Sequence, residues 1–247
     1  VTAQNDIVAL DPVRSIVPQL SHLLRDRIIR NQLRPGDRIS ETEIARDYGV
    51  SRQPVREAFI KLQEQGLLVV MPQRGTVISK IVYQAVLDAR FLREAIEADI
   101  VLILVSAPPA GLIAALQGQI AAQRAVRPED REDFIHLDET FHRTLAEAAG
   151  KAGAWKQIDG LKSQMDRVRF LSLERFPVAK LIDQHEGIVT AIAAGDVAQA
   201  ELGIRRHLRE VLRDLPGIIA TLPQFFDNPN GALAPPINTP IQGGNNG

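Results

Sequence analysis

From Tyr83 to about Phe226 the chain keeps a helical period almost without interruption. Apolar residues recur three and four positions apart over 83–105, 109–126, 130–149, 152–173, 178–194 and 197–215, with breaks at "APPAG", "VRPED", "GKAG", "RFP" and "AGD". Amphipathic helices joined by such short breaks bury their stripes against one another, so an all-helical module is expected here. Aromatic residues are only 4% of the chain, and a core of Leu, Ile, Val and Ala favours helices over a sandwich or a barrel.

The first 80 residues follow another pattern. "RSIVPQLSHLLRDRIIRN" (14–31) puts Ile16, Leu20, Leu23, Leu24 and Ile28 on one helical stripe, with Pro18 in the first turn, and Pro35–Gly36 then turns the chain. "SETEIARDYGVSRQPVREAFIKLQEQGLL" holds two helical segments parted by Gly49, which supplies the left-handed residue of a tight turn. Ser40 and Glu43 have the spacing of a capping box, Ser51 is placed to cap the second helix, and Val55, Ala58, Phe59 and Leu62 form its buried face. Two β-rich runs, Leu67 to Met71 and Thr76 to Ser79, flank "PQRG" and predict a hairpin. Helix, short helix, glycine turn, helix and hairpin is the order of a winged helix-turn-helix.

The expected fold is therefore mainly α, a winged helix-turn-helix with a small β-hairpin wing followed by an all-helical module. Its divisions are a flexible N-terminus (1–13), the winged module (14–80), the helical module (81–226) and a Pro-, Gly- and Asn-rich tail (227–247) expected to be disordered. Without cysteine there is no disulfide framework, zinc ribbon or thiol nucleophile. The start lacks a signal-peptide pattern and no apolar run approaches the roughly 20 residues that span a bilayer, so a cytoplasmic protein with no membrane partner is expected.

The formal net charge of −1 does not advertise nucleic acid, but up to Lys80 there are 12 Lys and Arg against 9 Asp and Glu. In a helix-turn-helix the second helix enters the major groove of double-stranded DNA. Ser51, Arg52, Gln53 and Arg56 leave its apolar stripe in the N-terminal half, the end that reaches base edges; Arg suits a bidentate contact to guanine, and Gln one to adenine. Arg74 and Gly75 at the hairpin tip are placed for phosphate or a minor groove.

The helical module carries a second kind of chemistry. In "FIHLDETFHRTL" Asp138 and His142 sit one turn apart at the edge of the stripe Phe134, Leu137, Phe141 and Leu145. His185 lies among Leu181, Ile182, Ile188, Val189 and Ile192, and His207 among Ile204, Leu208, Val211 and Leu212, whereas His22 and His136 leave the stripes as surface residues. A buried carboxylate needs a partner, and one carboxylate with three imidazoles suits a divalent metal such as zinc, nickel or manganese.

Two resemblances sharpen both readings. "LRPGDRISETEIARDYGVSRQPVREAFIKLQEQGLLVVMPQRGTVIS" resembles the DNA-binding domain of GntR-type bacterial transcription regulators, through "A…GVSR.PVREA…L…GL" and the terminal "RGT". The resemblance implies that Thr42, Ser51, Arg52 and Arg56 touch phosphates and bases, with Arg74 and Gly75 in the wing; some relatives carry Arg at position 42. "DETFH" followed by His185 and His207 resembles the metal-binding branch of the FadR-type ligand domain, FCD, over about residues 84–216. That implies an antiparallel α-helical bundle, a homodimer, a metal held by Asp138, His142, His185 and His207, and a small carboxylate effector at or near the metal. Arg93 matches a pocket arginine of these domains, and Arg167 is a further candidate clamp for the acid. The expected function is a repressor reading a near-palindromic operator under control of an organic acid, by resemblance a sugar acid. The alternatives are a metal sensor and a metal-dependent enzyme acting on an organic acid; against the enzyme, no general base is placed beside the ligands.

Overall fold

A computed structural model describes residues 9–127, 130–172 and 178–227. The start before residue 9 and the tail after residue 227, for which flexibility and disorder are expected, lie outside the described residues.

The winged module is built from α1 (Ile16–Ile29), α2 (Glu41–Asp47), α3 (Arg52–Glu64), β1 (Leu68–Met71) and β2 (Gly75–Ile78). Leu20, Leu24 and Ile28 of α1 meet Val55, Phe59 and Leu62 of α3 in one apolar core, closed by Leu67 and Ile78 from the hairpin. β1 and β2 pair antiparallel from Leu68↔Ile78 to Met71↔Gly75, and Arg38 adds an antiparallel bridge to Val77. Between α2 and α3 Gly49 takes φ +65°, a left-handed conformation that costs other residues backbone strain.

Two capping expectations need correction. Ser40 accepts from the amide of Thr42 at 3.2 Å, one position before the amide a capping box uses. Ser51 precedes α3 in extended backbone but forms no side-chain cap bond and stays exposed. Its hydroxyl is left facing outward on the side where α3 begins.

The helical module follows a two-residue strand, β3 (Ile81–Val82), and comprises α4 (Tyr83–Ser106), α5 (Leu112–Arg124), α6 (Arg131–Ala148), α7 (Ala152–Leu161), α8 (Ser163–Leu171), α9 (Val178–Ala194) and α10 (Val197–Thr221). Its main core joins α4, α5, α6, α7, α9 and α10 through residues such as Val101, Leu116, Phe141, Ile188 and Ile204. A second core, with Ile81, Val86, Met165, Val168, Leu215 and Phe226, lies where α4, α8 and the end of α10 meet the linker.

Three features depart from the expected pattern. The segment 152–173 is two helices, with the chain turning at Lys162, whose buried ammonium is held at 2.8 Å by both Glu139 and Asp166. α10 continues past Pro216 to Thr221: the proline removes one helical donor, but Leu215, Ile218 and Ile219 are buried in the second core and hold the last turns. Finally, Phe226–Asp227 form a strand, β4, that pairs in parallel with Ile81–Val82, so the end of the bundle lies against the interdomain linker. No described helix is long and apolar enough to cross a membrane.

Nothing lies within 4 Å of a Cβ built on Gly49, so Gly49→Ala is expected to cost backbone strain alone, roughly 1–2 kcal/mol by urea denaturation. An unchanged midpoint would show that the turn adapts to an L side chain.

Candidate functional site: a buried carboxylate and three imidazoles

The 3.6-residue period places Asp138 and His142 on one face of α6, and α9 and α10 bring His185 and His207 to the same point. One ligand atom from each of the four lies within 4.8 Å of the others, and all four side chains are buried. The quartet expected from the sequence is thus assembled in the centre of the bundle.

The orientation of the rings is set from outside. His185 Nδ1 lies 2.8 Å from Gln123 Oε1 and His207 Nδ1 lies 3.1 Å from Gln184 Oε1. An amide oxygen only accepts, so both Nδ1 atoms carry the proton and both Nε2 atoms present lone pairs. His142 Nδ1 lies 2.6 Å from Glu97 Oε2, a contact that turns its Nε2 toward the same point. The three Nε2 atoms then face one another, His207 at 3.0 Å from His142 and 3.2 Å from His185. Asp138 Oδ1 is buried without a hydrogen-bond partner, 3.5 Å from His185 Nε2 and 3.8 Å from His207 Nε2. Facing lone pairs and an unpaired carboxylate oxygen form a donor set that a small divalent cation satisfies and a hydrogen-bond network does not.

Electrostatics agree with this assignment of protons. Burial pushes the His185 imidazole down to about 3, and burial followed by the neighbouring imidazoles holds His207 well below the usual range. Both are neutral, the form that ligates metal. Burial would raise Glu97, but Arg93 and then His142 outweigh it and bring the carboxyl down to about 2. Asp138 is likewise held ionised against burial, first by Arg169.

Around this centre stand groups that the sequence reading missed. Arg169, on α8, donates from Nη2 to Asp138 Oδ2, and its Nη1 is buried without a partner. Glu97, Gln123 and Gln184 form the outer ring. Glu97 is four residues after Arg93, and this spacing on one helix was the available signal; the two glutamines had none.

Of the two arginines considered for an acid, only Arg93 reaches the site. Its Nε donates to Glu97 at 2.6 Å, its guanidinium lies 5.9 Å from the Trp155 ring centroid, and its Nη2 is buried without a partner. Arg93, Arg169, Met165, Leu181, His207, Leu208 and Glu210 line a cavity of about 20 Å³, room for a water molecule or two. Arg167 points the other way, to the linker, where Nη2 donates to the Ser79 carbonyl at 2.8 Å.

In the winged module Thr42, Ser51, Arg52, Gln53 and Arg56 are all exposed, as are Arg74 and Gly75 at the hairpin tip. Arg52 pairs with Glu41 at 3.2 Å and Gln53 donates to Glu57 at 3.0 Å, both on the open surface. Gln73, beside Arg74, has φ +62° and makes the tip turn tightly.

Together the two modules define a DNA-binding transcription regulator with an all-helical C-terminal domain. Residues 17–78 match the family model described as bacterial regulatory proteins, gntR family, and residues 88–210 match the FCD domain. The chain is 36% identical over 204 residues to the HTH-type transcriptional repressor RspR of Escherichia coli strain K12, covering 82% of this chain and 90% of that one. It is 25% identical over 200 residues to the gluconate operon transcriptional repressor of Bacillus subtilis strain 168, covering 78% and 82%. A solved structure described as a transcriptional regulator GntR from Rhodococcus sp. RHA1 shares the fold with a TM-score of 0.67 at 24% identity, covering 83% of this chain and 99% of that one. The chain belongs to the GntR family of bacterial transcription regulators and carries an FCD domain. It is a regulator and not an enzyme.

Arg93→Met leaves the Glu97 carboxylate buried beside His142 without its guanidinium, and stability is expected to fall by about 3 kcal/mol or more. The paired change Arg93→Met with Glu97→Leu should recover part of that loss; a double variant whose loss equals the sum of the two single losses would show that the residues do not act as a pair.

Proposed function

We propose that this regulator holds a divalent metal, zinc, nickel or manganese, on Asp138, His142, His185 and His207, and that a small organic acid bound beside the metal controls its affinity for an operator. The observation that carries the metal is the convergence of three imidazole Nε2 atoms beside a buried carboxylate that has one unpaired oxygen. The acid follows from charge. The charged side chains nearest the centre, Arg93, Arg169, Glu97 and Asp138, cancel, and Glu210 on the cavity wall is paired with Lys180, so a divalent ion on neutral imidazoles leaves an excess of two positive charges. A carboxylate reduces that excess and takes up the partnerless nitrogens of Arg93 and Arg169. A cavity of about 20 Å³ is smaller than such an acid, so binding displaces its walls. Differential affinity of this kind is what a ligand needs in order to shift a conformational equilibrium. Among the relatives, one is named for a gluconate operon, which supports a sugar acid as the ligand class.

At the other end, Arg52, Gln53 and Arg56 read base edges from the N-terminal half of α3, Thr42 and Ser51 contact phosphate, and Arg74 and Gly75 form the wing contact. Two copies of the chain, as a homodimer, read the two halves of a near-palindromic operator in the cytoplasm and repress until the acid arrives.

Metal analysis of purified protein, with a thermal-shift screen of sugar acids and small carboxylates, tests the sensor half. About one divalent ion per chain is expected, with a melting rise for one acid class equivalent to about 2.7 kcal/mol at a hundredfold excess over Kd. His142→Ala should lose both. One ion per chain in that variant would mean the ligands are misassigned, and no shift with any acid would remove the effector. For the DNA half, Arg52→Ala and Arg56→Ala are each expected to weaken operator binding by about 1–3 kcal/mol with an unchanged unfolding midpoint. Normal affinity in both variants would place the reading surface elsewhere.

A further inference from the structure

A helix buried on every side is ordinarily apolar, yet α8 is not. Residues 163 to 169 are all buried, and Ser163, Gln164, Asp166, Arg167 and Arg169 among them are polar or charged. Buried polar groups persist where each has a partner, so the partners of α8 define what the helix is for.

They divide by face. Met165 and Arg169, four residues apart, face the centre, where both line the cavity and Arg169 holds Asp138. Gln164 and Arg167, three apart, face the winged module. Gln164 Nε2 donates to the Gly66 carbonyl at 2.8 Å, and Arg167 Nη2 donates to the Ser79 carbonyl at 2.8 Å. Gly66 and Ser79 stand just outside the two strands of the hairpin, and Ser79 Oγ also bonds the Gly66 carbonyl. The two side chains of α8 therefore grip the base of the wing at both strands. Gly66 takes φ +69°, a left-handed conformation that favours glycine, although a Cβ there would make only ordinary contact, at 3.5 Å, with the Gln164 amide nitrogen. Ser163 and Asp166, on the third face, receive Arg25 of α1, Nε to Ser163 Oγ at 3.1 Å and Nη2 to Asp166 at 3.4 Å.

We infer that α8 is a lever whose Arg169 end reads occupancy of the buried centre, whose Gln164 and Arg167 face carries the base of the wing, and whose pivot is Arg25. This rests on the metal reading above. A cation on Asp138 Oδ1 draws charge from the carboxylate that holds Arg169 and places positive charge beside its guanidinium, so the bond that fixes α8 weakens on occupancy. The side chains on the opposite face move with the same rigid turn of helix. Because Leu67 and Ile78, next to the gripped carbonyls, belong to the same apolar core as α1 and α3, the winged module follows α8 as one body, without repacking that core.

The test uses zinc alone as probe and a duplex selected from a random pool by the full-length protein. Zinc stoichiometry and duplex affinity are measured for chelator-stripped and zinc-loaded protein, in the wild type and in a Gln164→Ala, Arg167→Met double variant. The wild type is expected to bind one zinc and to change duplex affinity about fivefold or more, a normal size for allosteric coupling. The double variant should bind the same zinc with similar affinity and change duplex affinity by about twofold or less. A double variant with the full wild-type response overturns the lever, as does a wild type that binds one zinc without any change in duplex affinity. A wild type that binds no zinc overturns the metal reading and this inference with it, and the stoichiometry tells the two failures apart. Arg169→Leu supplies an independent arm, expected to bind zinc more tightly, since a neighbouring cation is gone, and to have lost the response. An intact response in Arg169→Leu would show that the signal leaves the centre by another path.

Discussion

The carboxylate of Asp138 is the constraint around which the bundle is organised. Fully buried in the main core, it is acceptable there only because Arg169 and His142 face one oxygen while His185 and His207 face the other. Each imidazole is in turn held by an outer partner from α4, α5 or α9, so one charge commits six helices to fixed relative positions. Apolar packing alone would tolerate a helix rotated or slid by part of a turn; a ring whose Nδ1 must meet one particular oxygen would not.

Two different forces join the parts of the chain. Within each module the joint is apolar, with Leu24, Phe59 and Leu62 in one and Phe141, Ile188 and Ile204 in the other. Between them the junction adds named hydrogen bonds and ion pairs, including Arg30 with Glu132 and with His136, to the smaller core around Ile81 and Val168. Apolar contact is indifferent to direction, whereas the bonds from Gln164 and Arg167 fix an orientation and can exchange partners at modest cost. A regulator needs rigid bodies and an adjustable joint, and the two kinds of contact are distributed accordingly.

Much of this was legible in the sequence, for identifiable reasons. Gly49, the α3 stripe and the change of period at Leu67 are local signals, and the winged module follows them closely. The buried quartet was legible because polar residues on apolar stripes stand out, and a stripe must face the core. Arg169 was missed because its value depends on which face of α8 meets Asp138, and the sequence "RVR" offers two arginines on opposite sides of one helix. The break at Lys162, the passage of α10 beyond Pro216 and the pairing of β3 with β4 were illegible for the same reason. Each is held by residues distant in sequence, such as Glu139 for Lys162 and Ile81 for Phe226, and local propensity contains no trace of them.

The pairing of β3 with β4 has a topological result. Ile81 and Val82 are the only peptide connection between wing and bundle, and Phe226, fully buried, pins that connection from its far side in sequence. The linker is thus spliced into the end of the same domain it leads into, and the freedom of the wing begins at residue 80 rather than along a loose tether. The chain leaves Asp227 beside this splice, so a domain inserted directly after Asp227 would begin at the joint itself, whereas one inserted just ahead of α1 would begin on the DNA-reading module.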